Sequence, residues 1–230
     1  MKYSLELLSA GKGTRFGKET PKQYLLLAGK PMIVHTLERV DQIEDIAEVV
    51  VVCGEEYVEK IQTYLKDYRI QKKIVFVEGG DTRQKSVFAG IQAASCEHIL
   101  LHEAARPMVT KGEFIKLIQC PSENVTYTYG IPYTVLKKDE NDQISGVLDR
   151  KELVNIQLPQ KFNKADLLQS HLLAIEKGEQ FTEDASMVYH YTKKPVYCLQ
   201  GTPYNVKMTE YIDLLYGEML IREAFVKEEM

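Results

Sequence analysis

Residues 7–23 read LLSAGKGTRFGKETPKQ, an apolar run that passes into a glycine-rich turn carrying Arg15 and ending in Pro21-Lys22-Gln23. Gly11 and Gly13 remove side chains where the backbone must turn tightly, so free N–H groups there can point at phosphate oxygens. Arg15 and Lys22 place two cations within one short loop of those amides. An ordinary strand–helix connection needs neither cation, whereas a bound triphosphate needs both. The spacing excludes two common nucleotide loops. Gly13 is followed by Thr14-Arg15, without the Gly-Lys-Ser/Thr ending of a P-loop, and Phe16 stands where a dinucleotide turn has its third glycine.

Two more segments carry the same chemistry. Gly79-Gly80-Asp81-Thr82-Arg83-Gln84-Lys85-Ser86 is a glycine turn that follows an apolar run and opens onto a helical pattern. Paired glycines let the backbone approach a flat base, whose edge the amides and carbonyls can read. An Asp81 helix cap would account for that residue alone and leave Arg83 without a task. Residues 101–107, LHEAARP, put Glu103 at the end of another strand pattern, where open α/β sheets place their ligands. A carboxylate there can ligate Mg²⁺.

These segments need a scaffold, and the patterning names one. Apolar, β-branched runs at residues 4–8, 48–53, 73–78 and 99–102 read as strands, with helical patterns at 31–40, 55–68 and 83–94 between them. Such alternation predicts a mainly parallel α/β sheet. Glu6 stands out, because a buried position in the first strand penalises a carboxylate. Between residues 125 and 156 the periodicity changes to short β-prone pieces at 125–131, 135–138 and 144–148, around the polar turn 139–142. That reads as an inserted hairpin arm, about 131–156, in one domain spanning 1–230. Helical patterns return at 164–177 and 209–225, with a strand at 195–199, and residues 227–230 are expected to fray.

Composition narrows the class further. A chain of 230 residues can bury one large core, and a net charge of −4 argues against a nucleic-acid binder. No apolar run approaches the roughly 20 residues of a membrane span, and the first residues do not read as a signal peptide, so a cytoplasmic protein is expected. Cys53, Cys96, Cys120 and Cys198 form no C-x-x-C pair and are expected to be buried thiols; the five histidines form no metal-ligand cluster.

The Gly-x-Gly-x-Arg…Pro-Lys-Gln signature, with the later motifs, resembles the 2-C-methyl-D-erythritol 4-phosphate cytidylyltransferase family of isoprenoid biosynthesis and its ribitol-5-phosphate relatives, from about residue 7 to 209. The resemblance implies a Rossmann-like domain of the nucleotide-diphospho-sugar transferase type, CTP and Mg²⁺, and a homodimer built by the arm. It places Ser9, Ala10, Gly11, Gly13, Gly79, Gly80, Asp81, Arg83, Ser86, Glu103 and Ala104 on the nucleotide side, with Glu103 also at the metal. Arg15, Lys22 and Lys207 would stabilise the reacting phosphate. Arg106, Thr134 and Arg150 would hold the acceptor, the arm residues acting in trans.

The family pattern is departed from at several points. Glu103 replaces the Asp of His-Asp-Ala-Ala-Arg-Pro. Pro132-Tyr133 precede Thr134 where an Asp and a small or basic residue are usual. Leu158 replaces the Thr of Thr-Pro-Gln, and Glu183-Asp184 invert the acidic pair of Thr-Asp-Glu-Ala-Ser. Pro132, Tyr133 and Leu158 are expected to surround the acceptor. The Ala104-Ala105 pair and residues 182–186 favour methylerythritol phosphate as acceptor over ribitol phosphate. A catalytically idle CTP-binding homologue is the alternative of another class, and pyrophosphate release from CTP separates the two.

Overall fold

The IAEVVVVC run of residues 46–53 can be satisfied only by burial on both faces. It forms a strand inside a seven-stranded sheet. The structure, a computed structural model, describes residues 1–11 and 21–223. Its strands are β1 (Tyr3–Leu8), β2 (Leu26–Leu27), β3 (Lys30–Pro31), β4 (Ile46–Cys53), β5 (Lys73–Glu78), β6 (His98–Glu103), β7 (Val125–Gly130), β8 (Val135–Lys138), β9 (Ile144–Leu148), β10 (Val154–Asn163) and β11 (Tyr197–Gln200). The helices are α1 (Met32–Asp41), α2 (Val58–Asp67), α3 (Arg83–Ala93), α4 (Lys111–Gln119), α5 (Lys164–Lys177), α6 (Asp184–Thr192) and α7 (Tyr211–Arg222).

The large sheet has the order β11-β7-β10-β6-β1-β4-β5. β1 pairs in parallel with β4 and β6, β4 with β5, and β11 with β7. Only β10 is antiparallel, to both β6 and β7. Chain connectivity explains the exception. Parallel neighbours require a crossover, here supplied by helices, whereas β10 returns from β7 after the β8–β9 excursion without one. The expected mainly parallel, Rossmann-like α/β fold is therefore present, and the hairpin β8–β9 stands as its own two-stranded sheet.

Alternate side chains of the strands feed cores on opposite faces. Leu5, Leu7, Val49 and Val51 pack with Leu37 of α1, Ile61 of α2 and Phe114 of α4. Val50, Val52, Ile99 and Leu101 pack with Val87 and Ile91 of α3, Leu167 of α5 and Val188 of α6. A third cluster joins Leu27, Met32, Met108, Met208 and Leu214, and so seats α7.

Several expectations need correction. The helix expected over 55–68 begins as a 3₁₀ turn, Glu55–Tyr57, before the α-helix at Val58. The segment expected as the first arm piece, 125–131, is β7 of the main sheet. The alternative of an Asp81 cap, set aside above, is indeed not met: Thr82 caps α3, its side chain accepting from the Lys85 amide. Only Cys53 of the four cysteines is buried, and Cys198 is exposed; all four are free. Leu158, expected near the acceptor, is buried in the α3-side core and does not line the cavity described below. The expected end of the last helix, beyond 223, and the fraying of 227–230 lie outside the described residues. Among the described residues no helix is long and apolar enough to cross a membrane.

Candidate active site

The carboxyl ends of β1, β5 and β6 meet where the chain leaves β1 for β4 on one side and β6 on the other, the switch point at which open sheets bind ligands. A cavity of about 420 Å³ opens there. Ser9, Ala10 and Gly11 form one wall, Lys22 and Gln23 a second, Gly80 to Arg83 with Ser86 a third, and Glu103, Ala105 and Lys207 the floor.

Local interactions fix each wall. The Gln23 amide donates to the Ser9 carbonyl and, at 2.9 Å, to the Gly11 carbonyl, which braces the turn after β1. The last residue of Pro-Lys-Gln is thus a strut, while Lys22 faces the cavity. A Cβ on Gly79 would lie 2.2 Å from the Ala10 Cβ, and one on Gly80 would lie 2.4 Å from the Lys85 Cβ. Gly79 thus lets the β5–α3 turn press against the Ser9–Gly11 loop, and Gly80 lets the turn fold back on the first turn of α3. A Cβ on Gly11 would meet no described atom within 4 Å, so packing among the described residues does not demand that glycine.

Lys207 is placed from two sides. The Met208 amide donates to the Ala105 carbonyl at 2.8 Å, tying the two loops together. Asn205, fully buried, donates to the Leu158 carbonyl at 2.7 Å and to Glu113 at 3.1 Å. Gln157 donates to the Thr202 carbonyl at 2.8 Å. Gly217 of α7 then makes room for Met208, since a Cβ there would lie 2.7 Å from its Cε.

Glu103 is the electrostatic hub. Its Oε2 lies 2.8 Å from Lys207 Nζ and 3.8 Å from Arg106 Nε, and its Oε1 lies 3.1 Å from Arg83 Nε. Burial alone would raise this carboxyl, but Lys207, Arg83 and Arg106 outweigh it and hold its pKa at about 2. Arg83 also reaches Asp184, Nη1 to Oδ2 at 2.6 Å. Burial opposes its charge, yet Asp184 and Glu103 raise its pKa above the ordinary value. Asp81 sits at the rim, paired with Lys85 at 2.8 Å. His102 is fully buried, its Nε2–H donating to the Arg106 carbonyl at 3.1 Å; burial lowers its pKa to about 3, so the ring is neutral.

Among the expected site residues, Ser9, Ala10, Gly11, Lys22, Gly80, Asp81, Arg83, Ser86, Glu103 and Lys207 line this one cavity. Gly79 and Ala104 stand behind the wall, the latter fully buried. Arg106 turns inward and donates to the Asn205 carbonyl at 3.0 Å. Thr134 and Arg150 are exposed and flank the β8–β9 hairpin, Thr134 just before β8 and Arg150 in a 3₁₀ turn after β9, where Arg150 donates to the Pro132 carbonyl at 2.7 Å. Gly13 and Arg15 lie outside the described residues. The residues sequence reasoning did not place are the supports: Gln23, Gln157, Asp184 and His171. A buried amide or acid gives no periodicity signal of its own.

A magnesium ion fits this donor set only in one way. Among the described residues no group of three or more His, Cys, Asp or Glu side chains could hold a metal. The cavity offers Glu103, already shared among three cations, and Asp81 at its rim. Such a set suits a hard cation that arrives on a triphosphate and takes most of its oxygens from it.

A family model described as IspD, 2-C-methyl-D-erythritol 4-phosphate cytidylyltransferase, matches residues 5–223. The chain is 33% identical over 225 residues to the 2-C-methyl-D-erythritol 4-phosphate cytidylyltransferase of Halalkalibacterium halodurans, covering 97% of this chain and 98% of that protein. It is 34% identical over 228 residues to that of Caldanaerobacter subterraneus, covering 97% and 100%. The solved structure of the Thermus thermophilus enzyme superposes with a TM-score of 0.78 at 28% identity, covering 96% of this chain and 100% of that one. The chain belongs to the 2-C-methyl-D-erythritol 4-phosphate cytidylyltransferase family and is a nucleotidyltransferase.

Proposed function

We propose that this protein transfers CMP from CTP to 2-C-methyl-D-erythritol 4-phosphate, giving the CDP-polyol and pyrophosphate. The observation that carries the reading is the convergence of Lys22, Lys207, the Ser9–Gly11 turn and ionised Glu103 on one cavity. An oxygen of the acceptor phosphate attacks the α-phosphorus in line. The new P–O bond forms as the bond to the bridging oxygen breaks, and the electron pair leaves with pyrophosphate. The acceptor phosphate is already an anion, so no protein base is needed; neutral His102, buried against the Arg106 carbonyl, takes no part. Lys22 and Lys207, with Arg15, balance the charge that builds on the pentacoordinate phosphorus. Glu103 orients Lys207 and Arg83 in the meantime. Mg²⁺, where bound, neutralises triphosphate charge, and Glu103 and Asp81 are the side chains that would touch it.

The acceptor side is read as shared between two copies. Thr134 and Arg150 do not line the cavity of their own chain, and the hairpin segment they flank exposes Ile144 and Val147, each 71% exposed, with Tyr133 beside it at 78%. A second copy would cover that apolar surface and receive both residues.

The test is an acceptor panel with CTP and Mg²⁺, scored by pyrophosphate release and by mass of the CDP product. Methylerythritol 4-phosphate is expected to give the highest kcat/KM, above ribitol 5-phosphate, ribulose 5-phosphate and glycerol 3-phosphate. Preference for ribitol 5-phosphate would reassign the acceptor, and retention of CTP without turnover would leave a binding module.

A further inference from the structure

From behind the cavity wall, a line of linked polar side chains runs from α5 to the floor of the site. His171 Nε2 lies 3.0 Å from Asp184 Oδ1, Asp184 Oδ2 lies 2.6 Å from Arg83 Nη1, and Arg83 Nε lies 3.1 Å from Glu103 Oε1. Neither Asp184 nor His171 lines the cavity, and both are almost completely buried. Asp184 is the first residue of α6, Glu103 the last of β6 and Arg83 the first of α3. One guanidinium is therefore gripped at both ends by carboxylates from separate, well-packed elements. Its position depends on the two side-chain lengths together. Two of the departures from the family spelling fall on these two grips. Glu103 is one methylene longer than the usual Asp, and Asp184 one shorter than the usual Glu.

We propose that Asp184 is a positioning residue of the nucleotide pocket, acting through Arg83 on Glu103, and that Glu103 and Asp184 are a length-matched couple. With the three backbones held, shortening Glu103 withdraws its carboxylate by about 1.5 Å, one C–C bond, from both Arg83 and Lys207. Lengthening Asp184 drives its carboxylate by the same amount into a contact already at 2.6 Å. Making both changes lets the guanidinium shift toward β6 and restores both of its contacts, while Lys207, a long side chain 38% exposed, has the freedom to follow the carboxylate. Burial resists ionisation of Asp184, but Arg83 and His171 hold its pKa below the ordinary value, as expected of a carboxylate that carries its charge in this line.

The proposal rests on reading the cavity as the CTP pocket, and the experiment separates the two. Glu103→Asp, Asp184→Glu and the double variant are compared with the parent by melting without nucleotide, by calorimetric CTP binding, and by kcat and KM. Each single variant is expected to lose about tenfold or more in CTP affinity and in kcat/KM, and the double to return within about threefold of the parent, the size of coupling seen between residues in one ion-pair network. Additive effects, or a Glu103→Asp variant equal to the parent, overturn the couple. Recovery of the melting midpoint without recovery of CTP affinity overturns the positioning role. A parent that binds no CTP sinks the pocket reading, while the nucleotide-free midpoints still decide the couple.

Discussion

Glu6 shows how far a single residue can depart from its surroundings. It lies in β1 between Val50 and Leu101, is fully buried, and neither carboxyl oxygen has a hydrogen-bond partner among the described residues. The niche for it is the missing side chain of Gly90, where a Cβ would lie 2.3 Å from the Glu6 Cδ. Burial, with Asp184 adding to it and Arg83 opposing, raises its pKa well above the ordinary value, which favours the protonated form. The sign of the consequence follows. From the ordinary carboxylate range up to the raised folded value, the unfolded chain binds fewer protons than the folded one, so this group's contribution falls as pH rises. The slope is about 1.4 kcal/mol per pH unit. Glu6→Gln removes the titration, so its melting midpoint relative to the parent is expected to improve as pH rises from the ordinary value of 4.5 toward the raised folded one. A difference that stays constant across that range would mean Glu6 is not a buried neutral acid.

At the scale of elements, the glycines distinguish folding from binding. Gly79→Ala puts a methyl 2.2 Å from the Ala10 Cβ between two backbone turns. Overpacking of that kind costs about 1–3 kcal/mol, or roughly 3–10 °C in the midpoint of a chain this size. Gly11→Ala meets no described neighbour, so it should melt like the parent but raise the KM for CTP about tenfold or more, the effect of one methyl at a tight ligand contact. Equal melting losses in both variants would contradict the distinction. The strands at the site were legible because β1, β4, β5 and β6 are short apolar runs with turn residues at their ends. β10 was not, because Gln157 and Gln160 are buried polar residues and Leu158-Pro159 falls out of register with β7. Helix α4 went unread although the Thr110–Glu113 capping box could have marked it, whereas α6, rich in Tyr, His, Thr and Val, has weak helical preference and is stabilised by packing on α5 and α3-side core residues. The ligand-facing residues declared themselves through glycines and cations; their supports did not, because Asp184 and Gln23 owe their roles to neighbours distant in sequence.

At the scale of the whole molecule, one chain carries the cavity proposed to take CTP, and two of its three expected acceptor residues, Thr134 and Arg150, lie away from it beside the hairpin. Lys22 lines the cavity of its own chain, and Arg150 sits beside the hairpin, bonded to the Pro132 carbonyl. If two copies exchange hairpins across a two-fold axis, each complete site draws Lys22 from one chain and Arg150 from the other. Lys22→Ala and Arg150→Ala homodimers are then each impaired in both sites, the first by a loss of about a hundredfold in rate for one missing transition-state charge. A mixed dimer has one site lacking both residues and one site lacking neither. Equal mixing with free exchange makes half the dimers mixed, so about a quarter of all sites should recover parental turnover. The measurement is CTP turnover against time after mixing, with exchange followed by mass-tagged chains. Recovery that tracks exchange supports the shared site. Complete exchange without recovery would put Arg150 in its own chain's chemistry or outside it, and a monomeric mass in sedimentation would remove the second copy altogether.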